Sequence, residues 1–379
     1  MEFGIFAQAH VPQGELDANW RGAEHARLMR EVELAVVGER VGFKYVWASE
    51  HHFLEEYSHM SAPEVFLAYV AAQTTTMHIG SAIFNTTPPV NHPARVAERV
   101  AMLDQLSGGR FEFCTGRGSS STEQQGFGIP DNATTRSMWD ETIQEFKAMW
   151  REPSYSHNGQ WFSMPPRNVL PKPYVDPHPP MWVAVGNPPT FEKAGRHGLG
   201  AMCFTIGEPP TLAESVRVYK EAIRQAEPAG EFVNDTLAVV ATMVCEPTRE
   251  EAIAVATRMG MSYYASLVYR WLDTFPKPAS VPDWPALIPE PTADAIRDRI
   301  DRATIMVGDP DDCARAVQTY ADMGVDQIVT GPNCHPFRTQ EESLRSLRLF
   351  GAEVIPRFDK DPVHRTTRMR EAASAIPGR

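Results

Sequence analysis

No stretch of the 379-residue chain approaches the ~20 consecutive apolar residues that a membrane-spanning helix needs. The start lacks a basic segment followed by an apolar one and opens directly on the strand-like Phe3-Gly4-Ile5-Phe6, so neither export nor membrane anchoring is expected. Cysteine is scarce: Cys114, Cys203, Cys245, Cys313 and Cys334 are odd in number and include no Cys-x-x-Cys pair. That pattern argues against a disulfide framework and a zinc ribbon, and a reducing cytoplasm is the expected compartment. Basic residues form no stripe, and the net charge is −12, which makes nucleic acid and anionic membrane poor partners and a small molecule the expected one. Internal repeats and low-complexity segments are also missing. With 42% hydrophobic and 22% charged residues, the chain has the balance of a soluble globule with a large core.

Length alone suggests two or three domains, but parallel α/β barrels use this much chain for one. Runs rich in β-formers at Phe3 to Phe6, Tyr45 to Trp47, Ile79 to Phe84, Phe111 to Cys114, Met181 to Val185, Ala201 to Phe204, Leu237 to Val244 and Gln327 to Val329 give eight candidate strands. Amphipathic patterns fall between or after them at Leu28 to Val41, Ala94 to Leu106, Thr135 to Trp150, Leu212 to Gln225, Arg249 to Tyr264, Asp311 to Met323 and Glu341 to Val354. Gly42, Ser107-Gly108-Gly109 and Gly324 punctuate three of these helices. The rhythm predicts an α/β fold, a single (β/α)8 TIM barrel over residues 1–357. Two proline-rich insertions interrupt it, at about 153–180 and 268–301, the second with prolines at 276, 278, 282, 285, 289 and 291. Long irregular insertions usually carry function. Trp271, Leu272, Phe275, Trp284, Leu287 and Ile288 make the second too apolar to stay in water, so a mobile lid over the barrel mouth is expected, with an interface element as the alternative. Residues 358–379 are charged and aperiodic and are expected to be loosely ordered.

Active sites of this fold sit at the C-terminal ends of the strands. Glu50-His51-His52-Phe53 follows the second strand directly, so its imidazoles are acid–base candidates or solvated loop groups. A metal set of Glu50, His52 and His59 gains no support from spacing, since adjacent histidines diverge and no paired motif is present; no metal is expected. Gly108-Gly109-Arg110-Phe111-Glu112-Phe113 leads through the fourth strand to Gly116-Arg117-Gly118-Ser119-Ser120-Ser121. Such a stretch offers a phosphate close backbone approach, hydroxyl donors and a bidentate cation, or is a plain surface turn. After the fifth strand, Gly186-Asn187-Pro188-Pro189-Thr190 caps the next helix or adds donors for the same phosphate.

Four motifs occur in order: Trp47-x-x-Glu50-His51-His52-Phe53, Asn91-His92-Pro93-x-Arg95, Leu103-Asp104-x-Leu106-Ser107-x-Gly109-Arg110-Phe111 and Gly116-Arg117-Gly118. With them the chain resembles the bacterial luciferase-like flavin monooxygenases, most specifically in its first 120 residues. The likeness runs from Met1 to about Arg357 and takes in Gly324-Val325-Asp326-Gln327-Ile328 and Ser346-Leu347-Arg348-Leu349-Phe350 near the end.

The resemblance implies a monooxygenase that takes reduced FMN (FMNH2) from a separate flavin reductase, forms a flavin C4a-hydroperoxide with O2, and oxygenates a small organic substrate. It further implies a two-component system and a homodimer or higher homo-oligomer. His51 matches the family's histidine beside the hydroperoxide, and Arg117 its arginine on the flavin phosphate. Ser119, Gly186, Asn187 and Thr190 fall among the cofactor contacts, and Asn85 lies beneath the flavin ring together with a non-proline cis peptide between Phe84 and Asn85. Asn187 stands where many relatives have serine, and Gly116 where luciferase proper has a reactive cysteine, so light emission is not implied. Phe6, Trp47, Phe84 and Phe204 either bury the ring or belong to the barrel core. Two alternatives stay open: hydride transfer with the deazaflavin F420 on the same barrel, and a non-catalytic flavin-binding subunit, against which the presence of His51 counts.

Overall fold

The computed structural model of the protein describes residues 1–204, 209–273 and 277–375. Its centre is a ring of parallel strands: β1 (Glu2–Ala7), β2 (Tyr45–Ala48), β3 (His78–Ser81), β4 (Phe111–Gly116), β5 (Met181–Ala184), β6 (Gly200–Phe204), β7 (Leu237–Val240) and β8 (Gln327–Thr330). Each pairs with the next in sequence, and β1 lies against β8 with Gly4 opposite Val329, which closes the (β/α)8 TIM barrel. All eight expected strands are present. Strands covered on both faces need near-continuous apolar sequence, and Tyr45–Ala48 and Leu237–Val240 are buried at every position.

Two expected runs break. The third stops at Ser81 and resumes as Phe84–Asn85, pairing with β4 at Asn85–Gly116. The non-proline cis peptide between the two pieces is Ala82–Ile83, not Phe84–Asn85 as the resemblance suggested. The seventh run also divides: Met243–Cys245 leaves the barrel and pairs with Met306–Gly308, a strand too short for the sequence pattern to announce.

Inside the barrel, Trp47 and Trp182 meet edge to face at 5.1 Å. They need empty space opposite: a Cβ on Gly80 would lie 2.3 Å from the Trp47 ring, and one on Gly200 2.4 Å from the Trp182 ring. Trp47 and Phe6 are thus barrel filling, and Phe84 packs outside it against Phe111. Of the four aromatic residues considered for the ring, Phe204 borders the mouth cavity described below.

The stretch expected to be loosely ordered closes the opposite end. Arg365–Ser374 is a helix with Thr366 and Arg370 buried. Thr366 Oγ1 donates to Glu112 Oε1 at 2.5 Å, and His364 stacks on His78 at 3.6 Å. Its charges are paired rather than simply solvated, as in Arg368–Asp361 and Lys44–Asp359. Residues 376–379 of that tail lie outside the described residues.

Within the first insertion, Tyr155–Asn158 and Ser163–Arg167 form a hairpin. The second begins in the helix Met261–Trp271, whose Val268, with Leu272 beyond its end, is buried against Leu54 and Tyr57. Arg270 lies over the rings of Trp271 and Trp284 at 4.2 and 4.6 Å. The insertion ends in the helix Ala293–Asp301; its Phe275 and Pro276 lie outside the described residues.

Candidate functional site

The loops after β2, β3 and β4 are bound together at the C-terminal mouth by two carboxylates. Glu50 Oε2 accepts from the Asn85 backbone N–H at 3.1 Å, and its Oε1 accepts from Asn91 Nδ2 at 2.9 Å and lies 3.2 Å from His52 Nε2. Glu123 Oε1 accepts from the His52 backbone N–H at 2.8 Å and lies 3.1 Å from His51 Nδ1. With Nδ1–H donating to Glu123, the His51 ring is fixed and Nε2 is its remaining acceptor. His59 turns elsewhere, to Glu24 at 3.0 Å, so it does not join Glu50 and His52 in a metal set.

Asn85 is buried and its Oδ1 accepts from the backbone N–H and hydroxyl of Thr87. A Cβ on Gly118, whose φ is +78°, would stand 3.0 Å from Asn85 Nδ2, so the Arg117–Gly118 turn and Asn85 touch only because position 118 has no side chain. Beneath this contact, Ser120 Oγ, Glu123 Oε2 and both amide atoms of Gln124 are buried without a hydrogen-bond partner. Buried polar atoms of this kind normally bond to something, so the cluster fits a polar ligand.

Arg117 is half-buried. Its guanidinium donates to Asn132 Oδ1 at 2.7 Å and Thr135 Oγ1 at 2.8 Å, both neutral. Burial first, and then the neighbouring Arg136, hold its pKa below the usual arginine range. Among the described residues neither arginine pairs with a carboxylate. Two such cations at a barrel mouth suit a phosphate. Ser119 sits half-buried beside them and makes no hydrogen bond among the described residues.

The turn after β5 is adjacent, because Thr115 of β4 registers with Val183 of β5. Here capping consumes the backbone donors and the Thr190 hydroxyl, and among the described residues Asn187 Nδ2 makes no hydrogen bond. Asn187 Oδ1 accepts from the Thr190 N–H, and Thr190 Oγ1 accepts from the backbone N–H groups of Gly186 and Asn187, both at 3.1 Å. Arg110, next in sequence to the phosphate-like glycines, is structural: it donates to the carbonyls of Ala71, Met77 and Ser107. The structure brings the sequence candidates His51, Asn85, Arg117 and Ser119 onto neighbouring loops of the mouth. Sequence reasoning missed Glu123 and Arg136 and gave Asn91 no role beyond its motif, because their partners become visible only once the loops are folded together.

The other half of the mouth holds a cavity of about 350 Å³ between the ends of β6, β7 and β8 and the helix Met261–Trp271. Tyr57 and Tyr264 stack at its floor with centroids 5.8 Å apart, and Tyr264 Oη donates to Gln8 Oε1 at 2.7 Å. Val281, Ile288 and Pro291 of the second insertion cover it.

Known proteins agree with this architecture. Over 369 residues, covering 95% of this chain and 92% of the relative, the chain is 26% identical to 4-hydroxyprotoasukamycin monooxygenase of Streptomyces nodosus subsp. asukaensis. In fold it is similar to the oxygenating constituent of 3,6-diketocamphane monooxygenase from Pseudomonas putida, a type II Baeyer-Villiger monooxygenase solved with FMN. That match has a TM-score of 0.74 at 21% identity, covering 94% of this chain and 98% of the other. An F420-dependent secondary alcohol dehydrogenase, solved with an F420-acetone adduct, shares the fold at a TM-score of 0.69 and 19% identity, covering 95% and 99%. The luciferase-like monooxygenase family model matches residues 1–327, and the chain belongs to that family of enzymes.

Proposed function

We propose that the protein is the oxygenase of a two-component flavin monooxygenase, which receives FMNH2 from a separate reductase and uses O2 to oxygenate a small organic molecule. The observation that carries this reading is Arg117 beside Arg136, with no carboxylate on either among the described residues, on the loop that leads from β4 to Glu123 and its contact with His51. In the proposal Arg117, Arg136 and Ser119 hold the phosphate. Gly186, Asn187 and Thr190 shape the adjoining wall, with Asn187 Nδ2 the donor that the cap leaves over, and Asn85 with the unsatisfied Gln124 and Ser120 faces the ring. Reduced FMN, when bound, supplies the electrons that activate O2. The protein's own part is to fix the ring, exclude water and hold a proton at His51 Nε2, which Glu123 leaves outward. Cytoplasmic placement, a barrel unit over residues 1–357, and assembly as a homodimer or higher homo-oligomer belong to the same proposal.

Titration of the protein with FMN, FMNH2 and F420, followed by oxygen uptake, tests it. FMNH2 binding with oxygen consumption is the expected result. Tight F420 binding without oxygen dependence would favour the hydride-transfer alternative, and FMN binding without any turnover the non-catalytic subunit. Arg117→Ala is expected to weaken FMN about 10-fold or more while leaving riboflavin nearly unchanged, since only FMN carries the phosphate a guanidinium would hold. Equal loss for both ligands would move Arg117 away from the phosphate.

A further inference from the structure

The cavity beside β6, β7 and β8 shares no lining residue with the cofactor candidates: Asn85, Arg117, Ser119 and Asn187 are all absent from its walls. Its volume, about 350 Å³, falls within the ~300–1,000 Å³ of small-molecule sites. The chemistry of its walls is lopsided. Phe204, Val240, Leu272, Val281, Ile288 and Met306 supply apolar surface, and no carboxylate lines it among the described residues. Its histidine, His335, is fully buried, and burial pushes the imidazole down to about 3, so it presents no charge near neutrality. Arg299, at the end beside Thr304 and Tyr320, is the cation of the described lining.

Polar anchoring is sparse. The Tyr264 hydroxyl is engaged with Gln8, and those of Ser262 and Thr304 donate to the backbone carbonyls of Pro289 and Arg299. Thr242 and Tyr269 line the cavity with hydroxyls that make no hydrogen bond among the described residues, and Thr242 is the one just past the end of β7. A cation entering such a chamber would lose its hydration with no carboxylate beside it, and an anion would find a counter-charge among the described lining at Arg299 alone, so desolvation disfavours charged ligands. An apolar one gains by leaving water in proportion to the surface it buries.

We propose that this cavity is the substrate chamber and that it takes an uncharged, predominantly apolar organic molecule whose carbonyl or hydroxyl oxygen bonds to Thr242. The inference rests on the flavin reading of the neighbouring half of the mouth for the word substrate, but the ligand class rests on the chamber alone.

Three ring-matched probes, acetophenone, benzoate and benzylamine, are titrated calorimetrically into the full-length protein. Acetophenone is expected to bind at least 10-fold tighter than either charged probe. Ala265→Trp, which fills the chamber, is expected to weaken acetophenone at least 10-fold with FMN affinity unchanged. Thr242→Val, the milder variant, should weaken acetophenone severalfold and leave ethylbenzene as it was. Benzoate or benzylamine binding as tightly as acetophenone would overturn the ligand class. Unchanged acetophenone binding to both folded variants would overturn the location. Because these measurements involve no turnover, wild-type protein that fails to bind any flavin refutes the proposed function while the probe ranking still decides the chamber.

Discussion

Glu123 shows what a single residue needs before its contacts are visible. It stands in Ser121-Thr122-Glu123-Gln124, where the neighbouring serines suggest a phosphate turn, and 72 positions separate it from His51. Only the parallel pairing of β2, β3 and β4 brings the two within 3.1 Å. By contrast His51 was legible, since it directly follows a strand and so falls at the barrel mouth. His51→Ala is expected to fold and bind FMN but to lose about 10²- to 10⁴-fold in coupled oxygenation, the usual cost of a positioned acid–base group. Full product yield per O2 consumed would remove it from the chemistry. Glu123→Gln keeps an acceptor for the His52 N–H yet removes the negative charge facing the ring. A roughly 10- to 100-fold lower kcat with a displaced pH–rate profile is expected, FMN affinity staying close to wild type. A change in stability alone, with the profile unmoved, would make Glu123 a loop anchor only.

Among the elements, the barrel strands were the easiest to read because burial on both faces leaves so little room for polar residues. The helix Arg365–Ser374 was illegible for the opposite reason. It docks through polar groups, Thr366 and His364, onto Glu112 and His78 at a polar barrel end, so no apolar stripe marks it. That docking has a signature in pH. Burial raises the Glu112 carboxyl to about 7 from an ordinary 4.5. The folded protein therefore holds this proton up to about pH 7, whereas the unfolded chain releases it near 4.5, so stability present below 4.5 is lost as pH rises to about 7. His78 works the other way: burial pushes it down to about 3 from 6.5, and the stability it contributes above 6.5 is lost as pH falls toward 3. Glu112→Gln should flatten the urea midpoint between pH 4.5 and 7 and keep the acid-side decline. Wild-type and variant curves that run parallel across that window would show that Glu112 does not titrate as its burial requires.

At the scale of the whole molecule the two ends of the barrel differ. One end is sealed by the C-terminal helix and holds no cofactor candidate, while the mouth is divided between the Arg117–His51 half and the apolar chamber. The second insertion touches both halves. Val281, Ile288 and Pro291 line the chamber, and Asp273 Oδ2 accepts from the Ser121 N–H at 2.5 Å in the turn that carries Arg117 and Glu123. Its apolar residues dock in part: Leu272 is buried and Trp271 and Trp284 are partly covered, while Leu287 stays exposed. Covering both halves at once would keep water from reduced flavin and O2 while substrate is in place, and water exclusion of this kind is what suppresses the unproductive release of hydrogen peroxide. The barrel strands and their core do not depend on the segment, so replacing residues 277–291 with a short Gly/Ser linker should leave the thermal midpoint within a few degrees and FMN affinity within about 2-fold. Hydrogen peroxide released per O2 consumed is expected to rise severalfold. Unchanged coupling with an altered sedimentation coefficient would assign the segment to a subunit interface instead, and loss of the folded state would show that it belongs to the core.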